Sequence, residues 1–267
     1  AESTSYVRVK LQENESNDEV PVLAITHWTK KLFSFSLFRP KSFRFSAGEF
    51  VMLGLTTDEG QQILRAYSIA SPTWSDALMF YSININNGPL TTRLSRIKPS
   101  DGVILKRKST GTLILDALKP GKRLFLFSTG TGFAPFASII REPETYQKFD
   151  KIILTHTCRE ILDLAFSQMV LSQRKNDGLL SKSDIASVEY YPTVTRDKPT
   201  NAIKLGRITD LILTEKFFKD LNIEDLSSAS DRAMLCGSQS FNKQMKGILT
   251  ERGFLEGSIN DPADFVL

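Results

Sequence analysis

The chain has 267 residues, of which 41% are hydrophobic and 24% are charged, so it is long enough for two globular domains with sizeable cores. No apolar run approaches the ~18 residues that a membrane-spanning helix needs, which argues against an integral membrane protein. The net charge of +4 suits an acidic partner, a phosphorylated ligand or nucleic acid, and equally a solvated surface with a few extra lysines.

The first half of the chain predicts an antiparallel β-structure behind a polar arm. Residues 1–18 are polar and charged and lack the apolar segment of an intact signal peptide, so we expect a flexible arm. Short runs of β-branched and aromatic residues then alternate with turn residues, which favours a barrel or sandwich over residues 19–118. The expected strands are Val22–His27, Leu32–Phe38, Phe50–Leu55, Ala66–Ile69, Leu78–Asn84 and Gly102–Lys106, with one short helix at Leu90–Ile97.

The second half, residues 119–267, predicts an α/β domain with a parallel sheet, because apolar strand-like runs alternate with helix-like stretches. We place the domain boundary near Leu118–Lys122. The expected strands are Arg123–Ser128, Lys151–Thr157, Val188–Pro192 and Arg232–Cys236, and the expected helices are Ala134–Ile140, Asp163–Arg174, Ile208–Leu213 and Asn242–Arg252.

The two cysteines, Cys158 and Cys236, are far apart in sequence, and no zinc-binding spacing occurs. Two buried free thiols in a reducing cytoplasm are the simplest interpretation. We therefore expect neither a disulfide nor a metal site.

A glycine-rich turn follows the first apolar run of the second half. Gly130 and Gly132 stand between that run and a helix-like stretch with Pro135 in its first turn. Glycine lets the backbone approach a ligand closely, and a helix N-terminus offers free amides to a pyrophosphate. The third glycine of the dinucleotide-binding pattern is missing, so the motif alone leaves open a tight turn without a ligand.

The segment Arg65–Pro72 combines three side chains that suit a flat, phosphorylated ligand. On a strand, Arg65 and Tyr67 share one face and Ser68 lies on the other. Arginine can bind phosphate with two donors, tyrosine can stack on a ring, and serine can hydrogen-bond a ring edge. Taken alone, the segment is better explained as an ordinary strand with an exposed arginine and a core tyrosine.

Taken together, the motifs resemble the ferredoxin–NADP⁺ reductase family, specifically its bacterial branch, from about Val20 to the end. Their order and spacing make the resemblance specific. The matching segments are Arg65–Ser68, Asn87–Thr91, Ser128–Phe136, His156–Arg159, Tyr191–Arg196, Gly206–Ile208 and Cys236–Ser238.

The resemblance implies an FAD-binding antiparallel β-barrel domain at residues 19–118 and an NADP(H)-binding α/β domain at residues 119–267. It implies that Arg65 binds the FAD pyrophosphate, Tyr67 packs on the isoalloxazine ring, and Ser68 lies near the ring nitrogen that receives hydride. The further FAD-binding positions that it implies are Ala66, Tyr81, Ile83, Gly88, Leu90, Thr91 and Thr131.

On the NADP side, the resemblance implies that Gly130, Gly132 and Gly237 contact the nucleotide. An NAD site normally offers a carboxylate to the adenine ribose, whereas a 2′-phosphate needs cations. The resemblance places this phosphate between Arg159, Thr195, Arg196 and Arg207. Without the family, three surface arginines making modest ion pairs remain an alternative.

Cys236 resembles the cysteine that lies on the nicotinamide side in this family. It is either a positioning residue or a plain core cysteine, and no histidine base is near it in sequence. Family members usually continue past position 267 with a glutamate and a short tail near the flavin, so no tail residue is assigned.

The implied activity is electron transfer between NADP(H), as hydride, and ferredoxin or flavodoxin, as single electrons, by a cytoplasmic monomer. Such carriers are typically acidic, and either of two basic clusters could bind them, although solvated charges are commoner: Arg93, Arg96 and Lys98, or Lys106, Arg107 and Lys108. The alternatives are the reductase component of an oxygenase and a non-catalytic FAD-binding electron-transfer subunit. Nucleic-acid binding is poorly supported because the basic residues are dispersed.

Overall fold

The computed structural model describes residues 18–267, which fold around two six-stranded sheets. The expected arm at residues 1–18 lies outside the described residues except for Asp18. That residue is half-buried, and its carboxylate lies 2.9 Å from the Lys106 ammonium.

The N-terminal sheet is antiparallel, with the strand order β4-β3-β6-β1-β2-β5. Its strands are β1 (Glu19–His27), β2 (Leu32–Phe38), β3 (Phe50–Thr56), β4 (Gln62–Ser68), β5 (Ala77–Ile83) and β6 (Gly102–Leu105). Alternate residues Phe33, Phe35 and Leu37 of β2 are at most 1% exposed and fill the core of this sheet. The predicted antiparallel barrel-like fold is therefore confirmed.

Strands β4 and β5 are the two outer strands of this sheet, and they form no ladder with each other. One backbone bond, from the Ala70 amide to the Met79 carbonyl at 2.8 Å, crosses between them just beyond β4. The barrel therefore has an open seam between β4 and β5, beside the Arg65–Ser68 segment.

The C-terminal sheet is parallel, with the strand order β10-β9-β8-β7-β11-β12, as the alternation of elements predicted. Its strands are β7 (Arg123–Thr129), β8 (Lys151–Cys158), β9 (Val188–Val194), β10 (Lys204–Leu205), β11 (Asp231–Cys236) and β12 (Phe265–Val266). Strands β7 and β8 are continuous buried runs because apolar residues cover both faces of the sheet.

The helices lie mainly around the parallel sheet. They are α1 (Thr91–Leu94), α2 (Ala134–Ile139), α3 (Pro143–Lys148), α4 (Ala165–Arg174), α5 (Lys182–Ala186), α6 (Ile208–Leu213), α7 (Lys216–Leu221) and α8 (Gln239–Glu251). Helix α1 is shorter than predicted, because after Leu94 the chain continues as a tight turn that buries Ile97. Helix α8 begins earlier than predicted, because the Ser238 hydroxyl accepts a bond from the Phe241 amide.

The two halves share one apolar cluster, which includes Ala70 and Tyr81 from the barrel and Phe133 and Phe166 from the α/β half. The rings of Tyr81 and Phe166 stack with centroids 4.1 Å apart. A polar contact adds to this packing.

Glu142, which precedes α3, accepts hydrogen bonds from the amide of Thr73 at 2.5 Å and from its hydroxyl at 3.0 Å. Burial raises the pKa of the Glu142 carboxyl, and the two bonds from Thr73 partly offset this rise. Because Thr73 directly follows the Arg65–Pro72 segment, these bonds connect the end of that segment to the α/β half.

Among residues 18–267, no helix is both long and apolar enough to cross a membrane.

Candidate functional site

A cleft of about 1440 Å³ lies between the two halves. Its barrel side is formed by β4 and β5, and its other side by the carboxyl ends of β7, β8, β9 and β11, which meet at one edge of the parallel sheet. The cleft brings together most of the predicted site residues: Ala66, Tyr67, Ser68, Tyr81, Ile83, Thr91, Gly130, Thr131, Gly132, Arg159, Thr195, Arg196, Arg207, Cys236 and Gly237.

Three predicted FAD-binding residues lie outside the lining of the cleft. Arg65 is exposed, and its guanidinium donates to the Leu64 carbonyl at 2.7 Å. Leu90 is 1% exposed and packs in the barrel core, so only its backbone can face a ligand. Gly88 lies in the loop before α1, where a Cβ atom would collide with the hydroxyl of Thr91. Their roles stay predictions from the family resemblance.

The barrel side of the cleft is lined by Tyr67 and Ser68 from β4 and by Tyr81 and Ser82 from β5. The Tyr67 hydroxyl lies 3.0 Å from the Ser82 hydroxyl, whereas the buried Tyr81 hydroxyl has no hydrogen-bond partner within residues 18–267. Burial raises the pKa of Tyr81, so its hydroxyl stays protonated and able to donate. The Tyr81 hydroxyl lies near Cys158, Asp163 and Tyr190 of the α/β half. The aromatic ring of Tyr67 and the Ser68 hydroxyl at the open seam fit a flat heteroaromatic ring with polar edges, such as FAD carries.

The glycine turn on the opposite side suits a closely approaching phosphate. Gly130 has φ +53°, a left-handed conformation that glycine adopts without strain. At Gly132, a Cβ atom would collide with the carbonyl oxygen of Cys236, so only glycine lets β11 come so near. The turn therefore lies directly beside Cys236 and Gly237, and its backbone is open to a pyrophosphate.

His156 lies fully buried below this turn, on β8. Its Nε2 atom is 2.8 Å from the Gly130 carbonyl oxygen, and its Nδ1 atom is 3.0 Å from the Ser167 hydroxyl. Burial lowers the pKa of His156 to about 4, and the bond to Gly130 opposes this shift only partly. The imidazole is therefore neutral at neutral pH.

His156 predicts a stability that depends on pH. Because the folded pKa is about 4 and the ordinary value is 6.5, the unfolded chain takes up this proton first as the pH falls. The histidine therefore lowers the free energy of unfolding by about 3 kcal/mol between pH 6.5 and pH 4, and leaves it unaffected at higher pH. Urea unfolding of wild type and His156→Gln at both pH values measures this difference. If the free energy of unfolding fell by the same amount between pH 6.5 and pH 4 in both proteins, the prediction would be wrong.

The predicted 2′-phosphate residues follow β8 and β9 and precede α6. Arg159, Arg196 and Arg207 are all exposed, and the Arg196 amide donates to the Arg159 carbonyl at 2.9 Å. None of the three makes an ion pair with another residue of the range 18–267. The neighbouring acid Asp197 is occupied by the Ile161 amide at 2.8 Å. Three guanidinium groups at one end of the cleft are thus available for a phosphate dianion.

Both cysteines are free. Burial raises the pKa of the Cys236 thiol to about 11 and that of the Cys158 thiol to about 12, and Asp163 adds to the rise at Cys158. A protonated, half-buried Cys236 on the cleft wall suits packing against a ligand better than nucleophilic attack.

Several residues that line the cleft could not be recognised from the sequence. Lys30 and Lys31 come from the β1–β2 turn, and Ser240 and Gln244 come from the first turns of α8. A turn between two strands was recognisable at the lysines, but only the folded structure shows that this turn borders the cleft.

Comparison with known proteins agrees with this geometry. Residues 126–247 match the family described as "Oxidoreductase NAD-binding domain". The flavodoxin/ferredoxin–NADP reductase of Rhodobacter capsulatus is 46% identical over 250 residues, which are 94% of this chain and 92% of that protein. The ferredoxin–NADP reductase of Azotobacter vinelandii is 41% identical over 247 residues, covering 92% of this chain and 94% of that protein.

A crystal structure of a ferredoxin–NADP⁺ reductase from Neisseria gonorrhoeae, with bound FAD and NADP, superimposes with a TM-score of 0.83. It is 30% identical, and the match covers 93% of this chain and 97% of that one. With relatives above 40% identity along almost their whole length, the chain belongs to the ferredoxin–NADP reductase family.

Proposed function

We propose that this chain is an FAD-dependent oxidoreductase that transfers electrons between NADP(H) and ferredoxin or flavodoxin. The observation that carries the proposal is the shared cleft. The end of the Tyr67–Ser68 strand, the glycine turn and the three arginines all line this one space. The Rhodobacter capsulatus relative is named for both flavodoxin and ferredoxin, and the Azotobacter vinelandii relative for ferredoxin, which supports either carrier. A monomeric state and a cytoplasmic location stay predictions.

The side chains of the cleft supply binding and orientation. When bound, FAD supplies the chemistry, accepting a hydride and releasing electrons one at a time. Tyr67 and Ser68 hold the reacting ring at the seam, the glycine turn binds the pyrophosphate, and the arginines bind the 2′-phosphate. Holding two reactants in near-contact geometry can lower a barrier by several kcal/mol (~7–11 at best), so orientation is the main contribution of the protein.

The two rival functions have less support. An iron–sulfur cluster of an oxygenase reductase needs four ligands, usually cysteines, whereas this sequence has two, in different strands. A non-catalytic FAD-binding subunit would need no 2′-phosphate site, yet Arg159, Arg196 and Arg207 all reach the cleft.

The structure distinguishes the two basic clusters. Asp18 lies 2.9 Å from Lys106 and 3.8 Å from Arg107, so it compensates part of the charge of the cluster at residues 106–108. Arg93 and Arg96 make no ion pair within residues 18–267. They come two and five residues after Thr91, which lines the cleft. We infer that the Arg93–Lys98 cluster binds an acidic carrier.

Charge reversal tests this inference. The double variant Arg93→Glu/Arg96→Glu is expected to slow carrier reduction about tenfold or more at low salt, and much less at high salt, because screening removes the steering. Lys106→Glu/Arg107→Glu serves as the matched variant, with a smaller expected effect. Stopped-flow rates at several ionic strengths measure both. If only the Lys106→Glu/Arg107→Glu variant slows the reaction, the cluster at residues 106–108 is the docking surface and the inference is wrong.

The proposed function itself is tested with FAD-loaded protein, NADPH and purified ferredoxin or flavodoxin under anaerobic conditions. We expect NADPH-dependent reduction of at least one carrier. A protein that binds FAD but reduces neither carrier would overturn the proposal.

A further inference from the structure

The peptide between Gly130 and Thr131 is held from below by His156. Nε2 of His156 lies 2.8 Å from the carbonyl oxygen of Gly130, and the imidazole is fully buried beneath the glycine turn. The carbonyl and the N–H of one trans peptide point in opposite directions. Because the Gly130 carbonyl points inward to His156, the Thr131 N–H of the same peptide points outward, on the side where Thr131 lines the cleft.

The hydrogen bonds also determine where the imidazole proton lies. A carbonyl oxygen only accepts, so Nε2 carries the hydrogen and donates to Gly130. The ring is neutral, so Nδ1 must accept, and the Ser167 hydroxyl lies 3.0 Å from it. Ser167 Oγ lies 2.7 Å from the Tyr190 hydroxyl and 3.0 Å from the Leu164 carbonyl. The single hydroxyl hydrogen of Ser167 can point either to Nδ1 or to the Leu164 carbonyl. Because Ser167 is the donor that faces Nδ1, we assign the hydrogen to Nδ1, and Ser167 then accepts from Tyr190.

The resulting chain runs in one direction, from Tyr190 through Ser167 and His156 to Gly130. Burial raises the pKa of Tyr190, so its hydroxyl remains a donor. The His156 ring also stacks on Phe133, with centroids 4.9 Å apart, which limits its rotation. Nε2 therefore faces the Gly130 carbonyl at 2.8 Å, with the Cys158 sulfur 3.3 Å away as a second neighbour, while the bond from Ser167 to Nδ1 fixes the ring from its other side.

We propose that His156 is a positioning residue for NADP(H), which holds the Gly130–Thr131 peptide with its N–H toward the pyrophosphate. The proposal rests on the proposed function, since it assumes that the cleft binds NADP(H). Without the bond to Nε2, this peptide can rotate and present its carbonyl oxygen to the phosphate, which repels it. His156 itself touches no ligand and acts through the backbone.

Two amide substitutions separate the contribution of Nε2 from that of Nδ1. In His156→Gln, the side-chain nitrogen stands as many bonds from the backbone as Nε2, so it can still donate to Gly130. In His156→Asn, the nitrogen corresponds to Nδ1 and cannot reach Gly130. Both variants place a polar amide in the same buried position, so the burial of a polar group is matched between them.

The measurement is calorimetric binding of NADP⁺ and of adenosine 2′-monophosphate to the FAD-loaded proteins. The second ligand carries the 2′-phosphate but no pyrophosphate. We expect His156→Asn to weaken NADP⁺ binding about tenfold, and His156→Gln to stay within about threefold of wild type. Binding of adenosine 2′-monophosphate should be unchanged in both. Stopped-flow kinetics should show a raised KM for NADPH in His156→Asn with a smaller change in kcat.

Ser167→Ala is a second variant that tests the same hydrogen-bond chain if His156→Asn does not fold, and Tyr191→Phe is a control outside this chain. Ser167→Ala leaves the ring in place but removes the donor to Nδ1, and it should weaken NADP⁺ binding by an intermediate factor. Tyr191→Phe removes a hydroxyl bond of 2.6 Å to Asp220. Tyr191 lies on β9, beside the strand of His156, and faces the opposite side of the sheet from Tyr190, so both affinities should stay unchanged.

Three outcomes are distinguishable. Wild-type affinity for NADP⁺ in His156→Asn would overturn the positioning role, and so would an equal loss of affinity for both ligands, which indicates general loosening. Failure of the wild-type protein itself to bind NADP⁺ would instead refute the proposed function.

Discussion

Ser68→Ala is expected to slow hydride transfer by one or more powers of ten while leaving the affinity for NADP⁺ nearly intact. Ser68 is the last residue of β4, half-buried, and lines the cleft where the barrel seam opens. A hydroxyl at this point can hydrogen-bond the edge of the reacting ring, and the loss of such a contact raises the barrier without touching the nucleotide site. Single-turnover stopped-flow reduction by NADPH measures the rate directly.

Ser82→Ala is a suitable control for this prediction. Its hydroxyl lies 3.0 Å from the Tyr67 hydroxyl and is buried, so its removal disturbs the neighbouring tyrosine but leaves Ser68 in place. We expect at most a few-fold loss of rate in this variant. A hydride-transfer rate in Ser68→Ala equal to that of wild type would show that Ser68 is only structural.

Removing the arginine charges should abolish the preference for NADPH over NADH. Each of Arg159→Ala, Arg196→Ala and Arg207→Ala is expected to weaken NADPH binding by about 10- to 100-fold, because a charge-assisted bond to phosphate contributes ~1.5–3 kcal/mol. Binding of NADH, which lacks the 2′-phosphate, should change little. Kinetics with both nucleotides therefore separate loss of the phosphate site from general damage.

Lys198→Ala provides the matched control for the arginine variants. Lys198 is exposed and lies two residues after Arg196, but it does not line the cleft. The Lys198→Ala variant should therefore have the same kcat/KM as wild type with both nucleotides. If an arginine variant weakens NADPH and NADH binding equally, that arginine does not contact the 2′-phosphate.

The sequence predicts the framework well where local patterns are strong. Strand β2 begins and ends at the predicted residues, because its apolar residues alternate and turn residues bound it. Strand β4 begins four residues before the predicted Ala66, since Gln62 and Arg65 are exposed and weaken the pattern. Strand β12 has only two residues, and its pairing with β11 depends on tertiary contacts.

The sequence motifs indicated which residues belong to the site, but not how close these residues lie to one another. Gly132 and Cys236 are far apart in sequence, and their close approach follows from the order of the parallel strands. His156 lies within an apolar run and is indistinguishable there from an ordinary core histidine. Its contact with the Gly130 carbonyl, 26 positions earlier, is visible only in the folded chain.

An anaerobic titration of the FAD-loaded protein with NADPH and, separately, with NADH, followed by visible absorbance, tests both flavin reduction and the choice of nucleotide. We expect NADPH to bleach the flavin spectrum at far lower concentration than NADH, because the three arginines recognise the 2′-phosphate. A flavin spectrum that neither nucleotide bleaches, or no flavin binding after addition of FAD, would contradict this expectation.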